Sequence, residues 1–175
     1  MKKSLLKKIA ITAIAILTMS LPAIAQQKGD MAAGAQLAIG MGDEITNFGI
    51  GAKFQYNVTD PIRLEGSFTF FMPKEQVADV KVSFWDLNVN AHYLFPIANQ
   101  ITVYPLAGLG IQGCKVKTSY GGYSASASDS DIAINLGGGI DYALTDQLVL
   151  NGELKYKISG DWDRFIISVG VAYRF

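Results

Sequence analysis

One cysteine and one histidine stand among the 175 residues. A lone Cys cannot close an intramolecular disulfide, and Cys114 and His92 together fall short of a zinc ligand set. Neither charge sign is in excess, with 15 basic and 15 acidic residues. The basic patch or stripe that marks a nucleic-acid partner is therefore missing. No clean apolar run reaches the ~20 residues a membrane-spanning helix needs. The nearest approach, residues 9–25, is interrupted by Thr12, Thr18, Ser20 and Pro22. Glycine is plentiful at 18 residues, but it is spread along the chain. No Gly-rich turn follows a strand and opens a helix, as a phosphate loop would.

Residues 1–25 have the layout of a cleavable signal peptide. Lys2, Lys3, Lys7 and Lys8 precede the apolar stretch Ile9 to Leu17, and Ala23-Ile-Ala25 supplies the small-residue cleavage motif. An amphipathic helix would interleave its basic residues with apolar ones instead. Cleavage before Gln26 leaves one domain, residues 26–175, with eleven basic and fifteen acidic residues and a net charge of −4. Cys114 lies far from that cleavage site, so it is not the acylated Cys of a lipoprotein.

What the chain has in abundance is period-two alternation. The last twelve residues place Phe165, Ile167, Val169, Val171, Tyr173 and Phe175 on one face and Arg164, Ile166, Ser168, Gly170, Ala172 and Arg174 on the other. A strand so patterned lies between an apolar and a polar medium. The same alternation predicts strands at 31–41, 47–57, 62–72, 83–95, 101–117, 132–142 and 148–159. Within 101–117 the apolar face is read as Val103, Ala107, Leu109 and Ile111, and Pro105 is expected near a strand end. Short turns are predicted at 57–61, 96–100 and 143–147. Loops are predicted at 42–46, 73–81, 118–131 and 160–163, of which 118–131 is the longest. A short internal repeat, Tyr56-Asn-Val-Thr-Asp-Pro-Ile-Arg-Leu64 and Tyr142-Ala-Leu-Thr-Asp-Gln-Leu-Val-Leu150, repeats strand end, turn and strand start.

Eight strands of this length suit a bilayer crossing by tilted strands, which takes ~9–11 residues each. Three features say which face meets lipid. The apolar faces hold no Asp, Glu, Lys or Arg. The polar faces carry many Gly and Ala, which a narrow barrel interior needs and a water-washed surface does not. Aromatics gather at two levels, Tyr56, Tyr93, Tyr142 and Tyr173 at one and Phe48, Phe70, Trp85, Tyr156 and Phe165 at the other, as headgroup belts do. The predicted fold is all-β: an eight-stranded antiparallel up-and-down transmembrane β-barrel. Its polar interior would hold Lys53, Arg63, Glu65, Asp86, His92, Asp141, Glu153, Lys155, Lys157, Arg164 and Arg174, with opposite charges paired.

The terminal alternation ending in Tyr173-Arg174-Phe175 resembles the C-terminal insertion signal of bacterial outer-membrane barrels. Residues 30–175 as a whole resemble the small eight-stranded family that includes outer membrane protein X and the outer membrane protein A barrel. The resemblance implies residence in the outer membrane of a Gram-negative bacterium among its lipids. It also implies that the barrel-assembly machinery reads Tyr173 and Phe175, and that the role is structural or interactive at the envelope. The expected contact surface for an extracellular ligand is the loop 118–131, and the expected state is a monomer. A narrow passive porin-like channel and a secreted lipocalin-like carrier are the alternatives. No catalytic, cofactor or metal residues are expected. Some small barrels modify lipid A with a His-x-Ser pair, but the stretch here is His92-Tyr-Leu94, and Asp86 lies too far along the strand to orient His92.

Overall fold

The computed structural model describes residues 27–42, 46–77, 80–120, 123–160 and 163–175. The segment 1–25, read above as a signal peptide, lies outside the described residues, as do the tips of the loops at 43–45 and 161–162.

The described residues form nine strands: β1 (Met31–Met41), β2 (Thr46–Asn57), β3 (Ile62–Val77), β4 (Val80–Tyr93), β5 (Phe95–Ala98), β6 (Ile101–Tyr120), β7 (Tyr123–Ala143), β8 (Leu148–Ser159) and β9 (Arg164–Arg174). Each pairs antiparallel with its neighbours, β1 pairs with β9, and β4 pairs with β6, so the sheet closes. The walls number eight, because β5 continues β4. Val80 opposes Thr118 and Phe95 opposes Val103 in one unbroken register. That register sets Tyr93 opposite Pro105, which has no N–H to give the ladder. The interruption of the fourth wall thus comes from Pro105, which sits inside β6 and not at its end. On its other side Leu94 continues the β3–β4 register, its N–H donating to the Pro61 carbonyl at 2.7 Å.

The repeated sequence builds the same turn twice. Val58 N–H donates to the Ile62 carbonyl at 2.9 Å, and Leu144 N–H to that of Leu148 at 2.9 Å. Inside each turn a threonine hydroxyl accepts a backbone N–H, Thr59 from Ile62 at 3.1 Å and Thr145 from Leu148 at 2.9 Å.

Side-chain orientation follows the alternation. Leu37, Val89, Leu109 and Ile132 are 61, 61, 61 and 70 % exposed. Lys53, Arg63, Glu65, Asp86, His92, Asp141, Glu153, Lys155, Lys157 and Arg164 are all buried. Such a surface is far larger than the apolar patches soluble monomers tolerate; it belongs against hydrocarbon. Tyr56, Tyr93 and Tyr173 are exposed around the end that carries the short turns, and Phe48, Phe70, Tyr156 and Phe165 around the other. Trp85 is half-buried, its ring stacked 6.4 Å from that of Phe68. Inward apolar groups and outward polar ones, the arrangement a lipocalin-like carrier needs, are the reverse of what is found.

Two expectations are corrected. The segments 73–81 and 118–131 are largely strand and not loop: β3 runs to Val77 and β4 starts at Val80, while β6 runs to Tyr120 and β7 starts at Tyr123. Where both faces of a sheet meet water no apolar face is required, so the hydrophobic signal for these strands vanishes. The interior also holds apolar side chains beyond the Ile166 that the alternation placed there. Phe71 and Ile166 pack with Ala38 and Phe84 at one end of the lumen, and Leu94, Tyr104 and Leu106 pack at the other. Charged layers lie between these two apolar caps.

Candidate functional site

Strand alternation delivers one inward residue every second position, and the ladders fix the levels at which they meet. Lys53 from β2, Glu65 from β3 and Glu153 and Lys155 from β8 form a cluster across the lumen. Lys53 Nζ lies 3.3 Å from Glu65 Oε2 and 3.0 Å from Glu153 Oε1, and Lys155 Nζ lies 3.3 Å from Glu153 Oε2. Gln55 Nε2 donates to Glu65 Oε2 at 2.8 Å, and the Tyr104 hydroxyl to Glu153 Oε1 at 3.0 Å. Toward the turn end, Arg63 pairs with Asp141. Toward the other end, Lys157 Nζ lies 3.3 Å from Asp86 Oδ2 and donates to Asn88 Oδ1 at 2.8 Å. Asn135 Nδ2 joins this layer through Asn88 and Asn90 at 3.1 and 2.8 Å. Each carboxylate is matched by a cation, as charges removed from water require.

His92 lies within this network. Arg63 Nε and Nη2 approach its Nδ1 at 3.2 and 3.0 Å. Its ring stacks on Tyr104 at 4.6 Å, and the Arg63 guanidinium covers the same tyrosine at 4.6 Å. Arginine is only a donor, so Nδ1 accepts and the imidazole proton belongs on Nε2. Asp86, the acid nearest in sequence, faces Lys157 instead. Tyr104 itself went unnoticed beside Pro105. Gly139 on β7 makes room for it: a Cβ there would overlap the ring. Only the register between β6 and β7, which pairs Tyr104 with Gly139, reveals that match.

Glu65, His92 and Glu153 each bring a ligand atom within 4.8 Å of the others, the one such group among the described residues. A divalent ion there would have to displace Lys53 from both carboxylates and take His92 through a nitrogen that carries its proton. These residues are arranged as an ion-paired core, and their fit to a metal is poor. Arg174, placed inside by alternation, is half-exposed at the rim near the turns. Cys114 is a half-buried free thiol.

The second candidate surface is the sheet beyond the barrel. The β2–β3 ladder stops at Gly49 opposite Phe71, and the β7–β8 ladder at Ala133 opposite Ser159. The ladders β3–β4, β4–β6 and β6–β7 continue to Val77–Val80, Val80–Thr118 and Tyr120–Tyr123. Four strands therefore project past the barrel, with backbone edges along 72–77 and 123–132 that are unpaired among the described residues. The longer edge offers ten residues, ~30 Å of strand. Its residues 126–130, Ser-Ala-Ser-Asp-Ser, are exposed. At its base Asp131 is held by the backbone N–H of Gly160, at 3.0 Å.

A closed barrel with this inverted polarity agrees with the family comparison. The model of the outer membrane protein beta-barrel domain matches residues 11–175. The chain belongs to the outer membrane protein β-barrel family. Among solved structures, Ail, the attachment invasion locus protein of Yersinia pestis, superposes with a TM-score of 0.62 at 21 % identity, covering 85 % of this chain and all of Ail. Neisserial surface protein A gives 0.66 at 18 % identity, covering 83 % of this chain and 96 % of its own. OprG of Pseudomonas aeruginosa gives 0.62 at 13 % identity, covering 87 % and 98 %. No curated protein sequence matches the chain. As an outer membrane β-barrel protein it resides in the outer membrane of a Gram-negative bacterium, its exposed apolar rows against lipid. Tyr173 and Phe175 lie on the lipid side of β9, and Phe175 N–H is tied to the Met31 carbonyl at 3.0 Å.

Proposed function

We propose that this outer membrane β-barrel protein is an interaction protein of the cell surface: a side-chain-filled barrel anchoring a projecting sheet that receives an extracellular partner. The supporting observation is the four-stranded projection with its edge at 123–132, unpaired among the described residues. An unpaired edge is a template for strand addition, in which main-chain hydrogen bonds supply affinity. Serines and aspartates along that edge keep it soluble in the absence of a partner. Ail, which shares the fold, has been solved in complex with the heparin analogue sucrose octasulfate, so a sulfated polysaccharide is a reasonable probe beside immobilised proteins.

The test is to replace Lys115–Asp129 by a two-residue turn and compare binding of cells displaying either form to immobilised extracellular proteins and to heparin. The shortened protein is expected to keep its heat-modifiable gel mobility, because the removed residues lie beyond the rim, and to lose binding. Equal binding by both forms would refute the reading.

The interior supports an anchor more than a passage. Lys53 and Glu153 meet across the lumen from β2 and β8, with Tyr104 on the same carboxylate. Purified protein in planar bilayers is therefore expected to show no large, stable conductance steps. Steps of general-porin size would favour the channel alternative.

A further inference from the structure

The four inward carboxylates Glu65, Asp86, Asp141 and Glu153 are engaged by Lys53, Lys155, Arg63 and Lys157. Among the described residues one deeply buried cation is left without a hydrogen-bonded carboxylate. Arg164 opens β9 opposite Lys157, the outermost rung of the β8–β9 ladder, and is 4 % exposed. Its Nη1 and Nη2 have no hydrogen-bond partner among the described residues. The ring of Phe71 covers the guanidinium at 4.4 Å and that of Phe84 at 4.7 Å. Gly40 on β1 completes the seat, since a Cβ there would overlap Nη2. Asp86, the carboxylate of this layer, is 3.3 Å from Lys157 and makes no hydrogen bond to Arg164.

We propose that the outward end of the barrel interior is an oxyanion site, in which Arg164, clamped between Phe71 and Phe84, takes a carboxylate, phosphate or sulfate group entering from the cell exterior. The argument is one of chemistry and remaining freedom. A guanidinium always carries its charge, and its planar fork matches a two-oxygen anion. The aromatic faces strengthen and orient the cation but supply no hydrogen-bond acceptor. The terminal nitrogens, Nη2 lying against Gly40, are the groups left without an acceptor. Leaving a buried charge without acceptors is costly, whereas an oxyanion would satisfy the fork and neutralise the charge in one step. The position on the last rung, inside the wall, suits a small free anion or a pendant group on a saccharide. A lipid headgroup at the outer surface of the barrel would not reach it.

The experiment uses the protein in dodecyl maltoside micelles, in chloride buffer of constant ionic strength. Sulfate, inorganic phosphate, acetate and glucose 6-phosphate are titrated while the thermal unfolding midpoint and the arginine side-chain NMR signals are followed. A saturable rise in midpoint with a shift of the Arg164 signal is expected, and the apparent affinity should fall at least tenfold in Arg164→Gln. Glucose 6-phosphate acting as well as phosphate would mark a pendant-group site, and phosphate alone a free-anion site; either supports the proposal. An equal rise in Arg164→Gln would reveal only the general effect of excluded salts and would overturn it, as would no rise at all. If Arg164→Gln does not fold, Phe84→Leu takes its place. That variant keeps the charge, opens the clamp and is expected to weaken binding several-fold, and unchanged affinity in it counts against the site. Nanodiscs of phosphatidylglycerol, free of added anion, serve as the lipid arm: a shifted Arg164 signal there would assign the anion to a headgroup and refute entry from outside. A final variant, Asp43→Asn with Glu44→Gln and Asp161→Asn, removes the acids of the adjoining segments. A response seen only in that variant would mean the chain caps its own arginine, and the proposal would fall.

Discussion

Replacing Glu153 by leucine is expected to destabilise the folded barrel by about 3–5 kcal/mol, the usual cost of removing one partner from a buried ion pair. Glu153 is the hub of the lumen. Its side chain is wholly buried, with Lys53 at 3.0 Å, Lys155 at 3.3 Å and the Tyr104 hydroxyl at 3.0 Å. After the substitution Lys53 keeps Glu65 at 3.3 Å, while Lys155 loses its only ion-pair partner among the described residues. The damage should therefore be specific to charge and reversible. Adding Lys155→Met to Glu153→Leu restores neutrality and should recover more than half of the loss. Urea unfolding in detergent micelles, read as the midpoint of each variant, gives the cycle directly. A double variant as unstable as the single one would show that lost packing, not stranded charge, is responsible.

The second large effect comes from the opposite face. Val89 is 61 % exposed and sits opposite Gly66 and Leu109, near the middle of the lipid-crossing segments. Val89→Arg is expected to cost about 2–4 kcal/mol, because a cation at the bilayer midplane has neither water nor a partner. Ile97 is equally exposed at 61 % but lies in β5, close to the turn at Asn99–Gln100. The same arginine there should cost about 0–1 kcal/mol, since its head reaches the interface. Reversible unfolding in lipid vesicles measures both. Equal penalties at the two depths would refute the lipid-facing assignment of these rows.

The alternation made the barrel legible because lipid and a polar lumen impose opposite demands on neighbouring residues. Leu37 beside Gln36, and Val89 beside Asn88 and Asn90, announce their faces without any knowledge of pairing. The signal fades where the medium is the same on both sides. Residues 123–131, Tyr-Ser-Ala-Ser-Ala-Ser-Asp-Ser-Asp, set serine against Tyr, Ala or Asp, so neither face is apolar throughout and they read as loop. Inward apolar residues were hidden for a different reason. Phe71 follows Phe70, and Tyr104 precedes Pro105, so each sits where the period is crowded or interrupted. Their places depend on cross-strand neighbours, Gly49 opposite Phe71 and Gly139 opposite Tyr104. Arg164 was recognised as inward, but not its isolation. That its terminal nitrogens lack a hydrogen-bond partner appears only once the described carboxylates of the lumen have been assigned.

The ties across the lumen also bear on how the wall comes together. Lys53 and Glu153 are 100 positions apart, and Arg63 and Asp141 are 78. Until the last strands arrive, Arg63 on β3 lacks the carboxylate of Asp141 and Lys53 on β2 has Glu65 alone, and bare lipid is a poor host for such groups. A half-wound intermediate is thus penalised from both halves, and sealing the seam between β1 and β9 relieves both together. Appearance of the native form should accordingly be abrupt, with no stable arc of four or five strands accumulating along the way.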